Sequence, residues 1–130
     1  MINYRNLLLV DDDLDDHEFF LEAIHDIDHT INCQCVLDGE EALNILKEQS
    51  NTLPDLIILD TNMPKRNGRQ LLVDLKSDSK LQDIPVVMYS TFFSDKDSDE
   101  LKKLGAVSYL VKPSNFADFR NALSEILTTC

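Results

Sequence analysis

The chain has 130 residues, 43% of them hydrophobic, with 12 basic and 24 acidic side chains and a formal net charge of −12. That length suits a single domain, 1–130, with one buried core. The charge argues against nucleic acid or anionic membrane as a direct partner, and favours a cation site or a partner with a basic face.

No apolar run approaches the roughly 20 residues that cross a bilayer. The opening MINYRNLLLV meets acids too soon to be a secretory signal. The three cysteines have no framework spacing. Cys33 and Cys35 fall on one face of a strand and are expected to pack as small apolar residues without bridging; Cys130 is terminal. A reducing cytoplasm is the simplest setting.

In chain order, residues 7–10 form a short all-apolar run, as in a strand covered on both faces. Phe20, Ala23, Ile24 and Ile27 follow at helical spacing, then residues 33–37 read as a second strand. Asp38-Gly39 turns into a helix over 40–47 with Ala42, Leu43 and Leu46 on one face. Pro54-Asp55 opens the buried strand LIIL at 56–59, and a loop over 61–67 leads to a helix over 68–76 with Leu71, Leu72 and Leu75 inward. The strand PVVMY occupies 85–89. Ser94-Asp95 has the chemistry of a helix start, and Gly105 ends that helix after Leu104. Residues 108–111 form the fifth strand, and Ser114 is expected to cap a last helix carrying Phe116, Phe119, Leu123 and Ile126.

Five strands alternating with five helices predict an α/β fold, a parallel sheet with helices on both faces. Right-handed crossovers place every strand's carboxyl end on one edge, where open α/β sheets hold their sites. The residues just past the strands are Asp11 and Asp12, Asp60, Ser90 and Lys112, whereas Asp38-Gly39 looks like turn chemistry. Carboxylates crowded there repel one another unless a hard cation sits among them, and oxygen-only ligands suit Mg²⁺. A carboxylate beside such a metal can accept a phosphoryl group. Lysine and metal would then share its charge, and a hydroxyl would donate to its oxygens.

At VDDD (10–13), LDTNMPKRNG (59–68), PVVMYS (85–90) and YLVKP (109–113), the sequence resembles the receiver domain of bacterial two-component response regulators. The resemblance runs from about residue 6 to 127 and implies a flavodoxin-like (βα)5 fold with strand order 2-1-3-4-5. It implies Asp60 as phosphoacceptor, with Asp12 binding Mg²⁺ directly and Asp11 mainly through water. Asp60 and the main-chain carbonyl of Asn62 complete the protein ligands. Lys112 would pair with the phosphoryl group, Lys112-Pro113 would be a cis peptide, and Ser90 and Tyr109 would form the switch pair.

The implied protein takes phosphate from a sensor histidine kinase or phosphotransfer protein and turns over no separate substrate. Its output, or a homodimer, would use the face of the fourth helix, fifth strand and fifth helix. The chain ends after its last helix, so a stand-alone receiver without an output domain is expected, similar to those that partner phytochrome-type or other hybrid kinases. Its downstream target is not legible.

Other residues have plainer readings. Asp13, Asp15 and Asp16 are expected as turn formers and helix-start charges, and His17, His25 and His29 as surface residues. Phe92 and Phe93 either anchor a partner or pack the following helix. Asp11, Asp13, Asp15 and Glu22 fit an EF-hand pattern, but Asp16 stands where that loop needs glycine. Asp11-Asp12-Asp13 also satisfies the Asp-x-Asp nucleophile motif of haloacid-dehalogenase phosphatases, which would put the modified residue at Asp11. A third alternative is a pseudo-receiver that binds partners without accepting phosphate.

Two positions depart from the family pattern. Ser90 stands where threonine is commonest, which keeps the hydroxyl. Phe92 is bulky and apolar at a position that helps set dephosphorylation, and is expected to restrict water and lengthen the phosphoryl lifetime. Phe92→Ala should therefore shorten that lifetime in a phosphate-release assay; equal lifetimes refute the expectation.

Overall fold

The short apolar runs become strands because each is covered by helices on both faces, and no polar alternation is needed to mark an outer side. The computed structural model describes residues 4–48, 53–61, 67–91, 93–112 and 115–129. The Asn62 carbonyl, Phe92, the Lys112-Pro113 peptide, Ser114 and Cys130 lie outside the described residues.

The elements run β1 (Asn6–Val10), α1 (Leu14–Ile27), β2 (Asn32–Val36), α2 (Gly39–Glu48), β3 (Leu56–Asp60), α3 (Gly68–Ser77), β4 (Val86–Ser90), α4 (Asp95–Lys103), β5 (Ser108–Val111) and α5 (Phe116–Thr129). The strands pair in parallel in the order β2-β1-β3-β4-β5. This is the expected flavodoxin-like arrangement.

Strand alternation divides the core in two. Leu8, Val10, Ile57, Leu59, Val86 and Met88 pack with Leu71, Leu72, Leu75 and Leu101 from α3 and α4. Leu7, Leu9, Leu56, Ile58, Val87 and Tyr89 pack with Phe20, Ile24, Phe119 and Leu123 from α1 and α5. Cys33 and Cys35 are half-buried free thiols against that second cluster, as expected.

Boundaries differ by a residue where pairing overrides local pattern. β2 begins at Asn32 because it pairs with Asn6. β3 continues to Asp60, which pairs with Tyr89. β4 starts after Pro85, which has no N–H to give a ladder, although its carbonyl accepts from Ile57.

Side-chain caps fix the helix starts. Asp13 accepts from the Asp15 amide, Asn67 from Gln70, and Ser94 forms a capping box with Asp97. Asp38 accepts from the Glu41 amide at 2.8 Å, so it caps α2 as well as making a turn. At α5 the capping contact comes from Asn115, whose Oδ1 accepts from the Asp118 amide at 2.9 Å. Gly105, at φ 112°, closes α4 in the left-handed region, as expected.

Gly68 is required for a different reason. A Cβ built there would lie 2.1 Å from the Asp60 carbonyl oxygen and 2.8 Å from the Thr61 Cα. The start of α3 rests directly on the end of β3. Gly68→Ala should cost about 1–3 kcal/mol of stability by urea denaturation, since backbone on both sides must yield. It should also disturb Asp60.

Candidate metal and phosphoryl site at the carboxyl edge

Alternation places Asp60 on the side of Leu56 and Ile58, facing α1 and α5. Ser90 continues the row of Val86 and Met88 on the opposite side. Asp11 and Lys112 follow directly after β1 and β5.

Three carboxylates converge on the Lys112 ammonium. Its Nζ lies 2.8 Å from Asp16 Oδ2, 3.1 Å from Asp60 Oδ2 and 3.2 Å from Asp11 Oδ2. Asp11 is 0% exposed and Asp60 2%, whereas Asp12 is exposed. One carboxylate oxygen from each of Asp11, Asp12 and Asp60 lies within 4.8 Å of the others. Ser90 is buried at the end of β4, and its carbonyl accepts from the Lys112 amide at 2.7 Å. The lysine backbone is thereby tied to the strand that carries the hydroxyl.

Asp11 is held rigidly. Its Oδ1 accepts from the Asp13 amide at 2.9 Å, its own amide donates to Val36, and its carbonyl takes a 2.6 Å hydrogen bond from His17 Nε2. Its Oδ2 is buried and ion-paired to Lys112 but receives no hydrogen bond among the described residues. Burial pushes the Asp11 carboxyl up to about 7, the nearby Asp60 charge adds to this, and the Asp13 amide and Lys112 oppose it. For Lys112, burial disfavours the charge, but the Asp16 hydrogen bond and the Asp11 and Asp60 charges outweigh it and hold the ammonium above its ordinary range.

These residues fit a divalent cation. A buried carboxylate oxygen that receives no hydrogen bond among the described residues, two further carboxylates within reach and an all-oxygen donor set match the hard-cation preference for Mg²⁺.

Two of the simpler readings are corrected here. His17 is only 8% exposed, not a surface residue, because it shares the inward stripe of α1 with Phe20 and Ile24. That spacing was visible in the sequence. Asp16 stands in the first turn of α1 as expected, but also reaches across to Lys112. Its partner is 96 residues away, so no local pattern could reveal the contact. Asp13 and Asp15 keep their capping and first-turn roles. Tyr109 donates its hydroxyl to the Ser98 carbonyl on α4 and packs its ring against Phe93, which resolves Phe93 as a packing residue.

A doubly wound α/β fold with a carboxylate–lysine cluster at its strand ends defines a class that the comparisons name. The chain matches the family described as response regulator receiver domain over residues 7–124. It is 33% identical over 118 residues to the response regulator Rcp1 of Synechocystis, covering 86% of this chain and 79% of that protein. Its fold superposes on the phosphorylated cyanobacterial phytochrome response regulator RcpA with a TM-score of 0.85 at 30% identity, covering 97% of this chain and 95% of the other. The Mn²⁺-bound form of Rcp1 gives a TM-score of 0.79 at 29% identity, covering 97% of this chain and 96% of the other. The chain belongs to the response regulator receiver domain family of two-component signalling. The haloacid-dehalogenase alternative is left without support. Among the described residues, no helix is long and apolar enough to cross a membrane.

The elevated Asp11 value sets a direction for stability. A carboxyl whose pKa rises from 3.8 to about 7 on folding binds more protons in the folded state, so its contribution is present at low pH and lost as pH rises through about 7. The metal-free protein should lose about 1 kcal/mol between pH 6 and 8 in denaturant titrations. Mg²⁺ should restore about 2.7 kcal/mol at a concentration a hundred times its Kd, and Asp11→Asn should remove both effects.

Proposed function

We propose that the chain is a working receiver that accepts a phosphoryl group on Asp60 from a phosphohistidine of a sensor kinase or phosphotransfer protein. The observation that carries this reading is the Lys112 ammonium 3.1 Å from Asp60 Oδ2, with Asp11 and Asp12 oxygens within 4.8 Å of the same carboxylate.

In the transfer, an Asp60 carboxylate oxygen attacks phosphorus. The P–O bond forms as the P–N bond breaks, and the electron pair of that bond leaves on the imidazole nitrogen. Asp11, Asp12 and Asp60, with the Asn62 carbonyl, would hold Mg²⁺, which supplies positive charge to the phosphoryl oxygens. Lys112 meets a second oxygen with its ammonium, and Ser90 donates to a third. Hydrolysis by water returns Asp60 to the free carboxylate and releases inorganic phosphate. The chain therefore catalyses only its own modification and its reversal.

The readout runs through Ser90. On the α3/α4 side, an open pocket of about 200 Å³ is lined by Thr61, Ser90, Phe93 and Leu101 together with the charged Arg69, Asp97 and Glu100. Phe93 forms both a wall of the pocket and the contact of the Tyr109 ring. Movement of Ser90 toward a phosphoryl group enlarges this space, and Tyr109 leaves Ser98 to turn inward, which changes the face of α4, β5 and α5 offered to a downstream protein or a second copy. The match to RcpA, a phytochrome response regulator, favours a phytochrome-type kinase as the phosphodonor.

Acetyl phosphate with Mg²⁺ should add the mass of one phosphoryl group to the wild type and none to Asp60→Asn, read by intact-protein mass spectrometry. Unchanged uptake in the Asp60 variant would refute the acceptor assignment. No uptake by the wild type favours the pseudo-receiver alternative.

A further inference from the structure

The nearest carboxylate to the Lys112 ammonium is not one of the sheet-edge acids. Asp16 Oδ2 lies at 2.8 Å, closer than Asp60 or Asp11, and it comes from the first turn of α1. The ammonium donates to Asp16 and Asp60 and stands at ion-pair distance from Asp11. The Tyr89 ring closes another side, with Nζ 5.1 Å from its centroid. That ring is fully buried against Phe20 and Phe119, so it cannot yield.

A divalent cation changes this balance unequally. Asp11 and Asp60 would turn oxygens toward the metal, whereas Asp16 lies outside the trio whose oxygens group together. In the loaded site, Asp16 is then the carboxylate that keeps Lys112. Charge points the same way. With every carboxylate ionised, Asp11, Asp12, Asp16 and Asp60 against Lys112 leave three negative charges, and a divalent cation leaves one, the equivalent of Asp16. Asp16 also lines, with Asp13, Asp15, Phe19, Thr91 and Lys112, an open groove of about 420 Å³ that leads to the lysine. An anionic phosphodonor using that groove meets the Asp16 charge as well as Lys112.

We propose that Asp16 is a positioning residue that draws Lys112 toward α1 and competes with the incoming phosphoryl group for its ammonium, acting as a brake on phosphorylation. The proposal rests on the receiver reading above. It makes Asp16 costly for the phosphoryl group and favourable for the metal, because its charge repels the first and attracts the second.

That opposition of sign is the test, since a merely structural role would impair both. In Asp16→Asn, at saturating Mg²⁺, acetyl phosphate should modify Asp60 about three to ten times faster than in the wild type, and beryllofluoride should bind more tightly by a similar factor. Mg²⁺ alone, followed by calorimetry, should bind about two to three times more weakly. Asp16→Ala, with melting checked for both variants, guards against an effect particular to asparagine, and Asp16→Glu should restore part of the brake. Equal or slower modification in both variants, with the wild type phosphorylated on Asp60, overturns the proposal and leaves the receiver reading standing. Absence of uptake by the wild type overturns both.

Discussion

Lys112 lies part-buried among three carboxylates, two of them wholly or almost wholly buried, and the surrounding architecture keeps those charges in register. Removing an ion from water costs several kcal/mol even after relaxation, and a buried pair recovers that only with good geometry and further hydrogen bonds. The acidic edge receives that help from the backbone. The Asp13 amide holds one oxygen of Asp11, and His17 holds the Asp11 carbonyl. The absence of a side chain at Gly68 lets α3 rest on the Asp60 carbonyl. Below the edge, Leu7–Val10 and Leu56–Leu59 are wholly apolar and buried.

The single lysine does not neutralise the cluster. Asp11 remains an acid whose ionisation is opposed by burial, with one oxygen that no hydrogen bond reaches among the described residues. Such an arrangement is poorly satisfied by protein alone and well satisfied by a divalent cation, which links the stability of the fold at neutral pH to occupancy of the site. The same deficit makes the site responsive. A group that alters the charge on Asp60 must alter what Lys112 and Ser90 contact.

The sheet also separates Asp60 from Ser90. Asp60 and Tyr89 lie on the α1/α5 side, with Lys112 against both, whereas Ser90 faces α3 and α4. Adjacent residues on one strand therefore report to opposite layers. Tyr89 fixes one side through rigid aromatic contacts with Phe20 and Phe119. On the other side, Tyr109 is tied to α4 by one hydrogen bond and by the Lys102 ammonium 5.8 Å from its ring centroid, and its ring touches Phe93.

Much of this was legible in the sequence because strand and helix periods are local properties. All-apolar runs of four or five residues alternating with helical stripes determined the fold class and, through the handedness of crossovers, the edge at which Asp11, Asp12, Asp60, Ser90 and Lys112 would meet. The buried role of His17 was also available from its spacing to Phe20 and was missed because a histidine among acids reads as surface. Other features had no local signal. The Asp16–Lys112 contact, the seat of Lys112 over Tyr89 and the pressure of α3 on the Asp60 carbonyl each depend on the distance between elements far apart in the chain. Sequence alone determined which groups reach the edge, because alternation needs only neighbours; tertiary packing decided which of them touch, because a hydrogen bond or ion pair forms only within about 3 Å and that distance is set by how helices settle on the sheet.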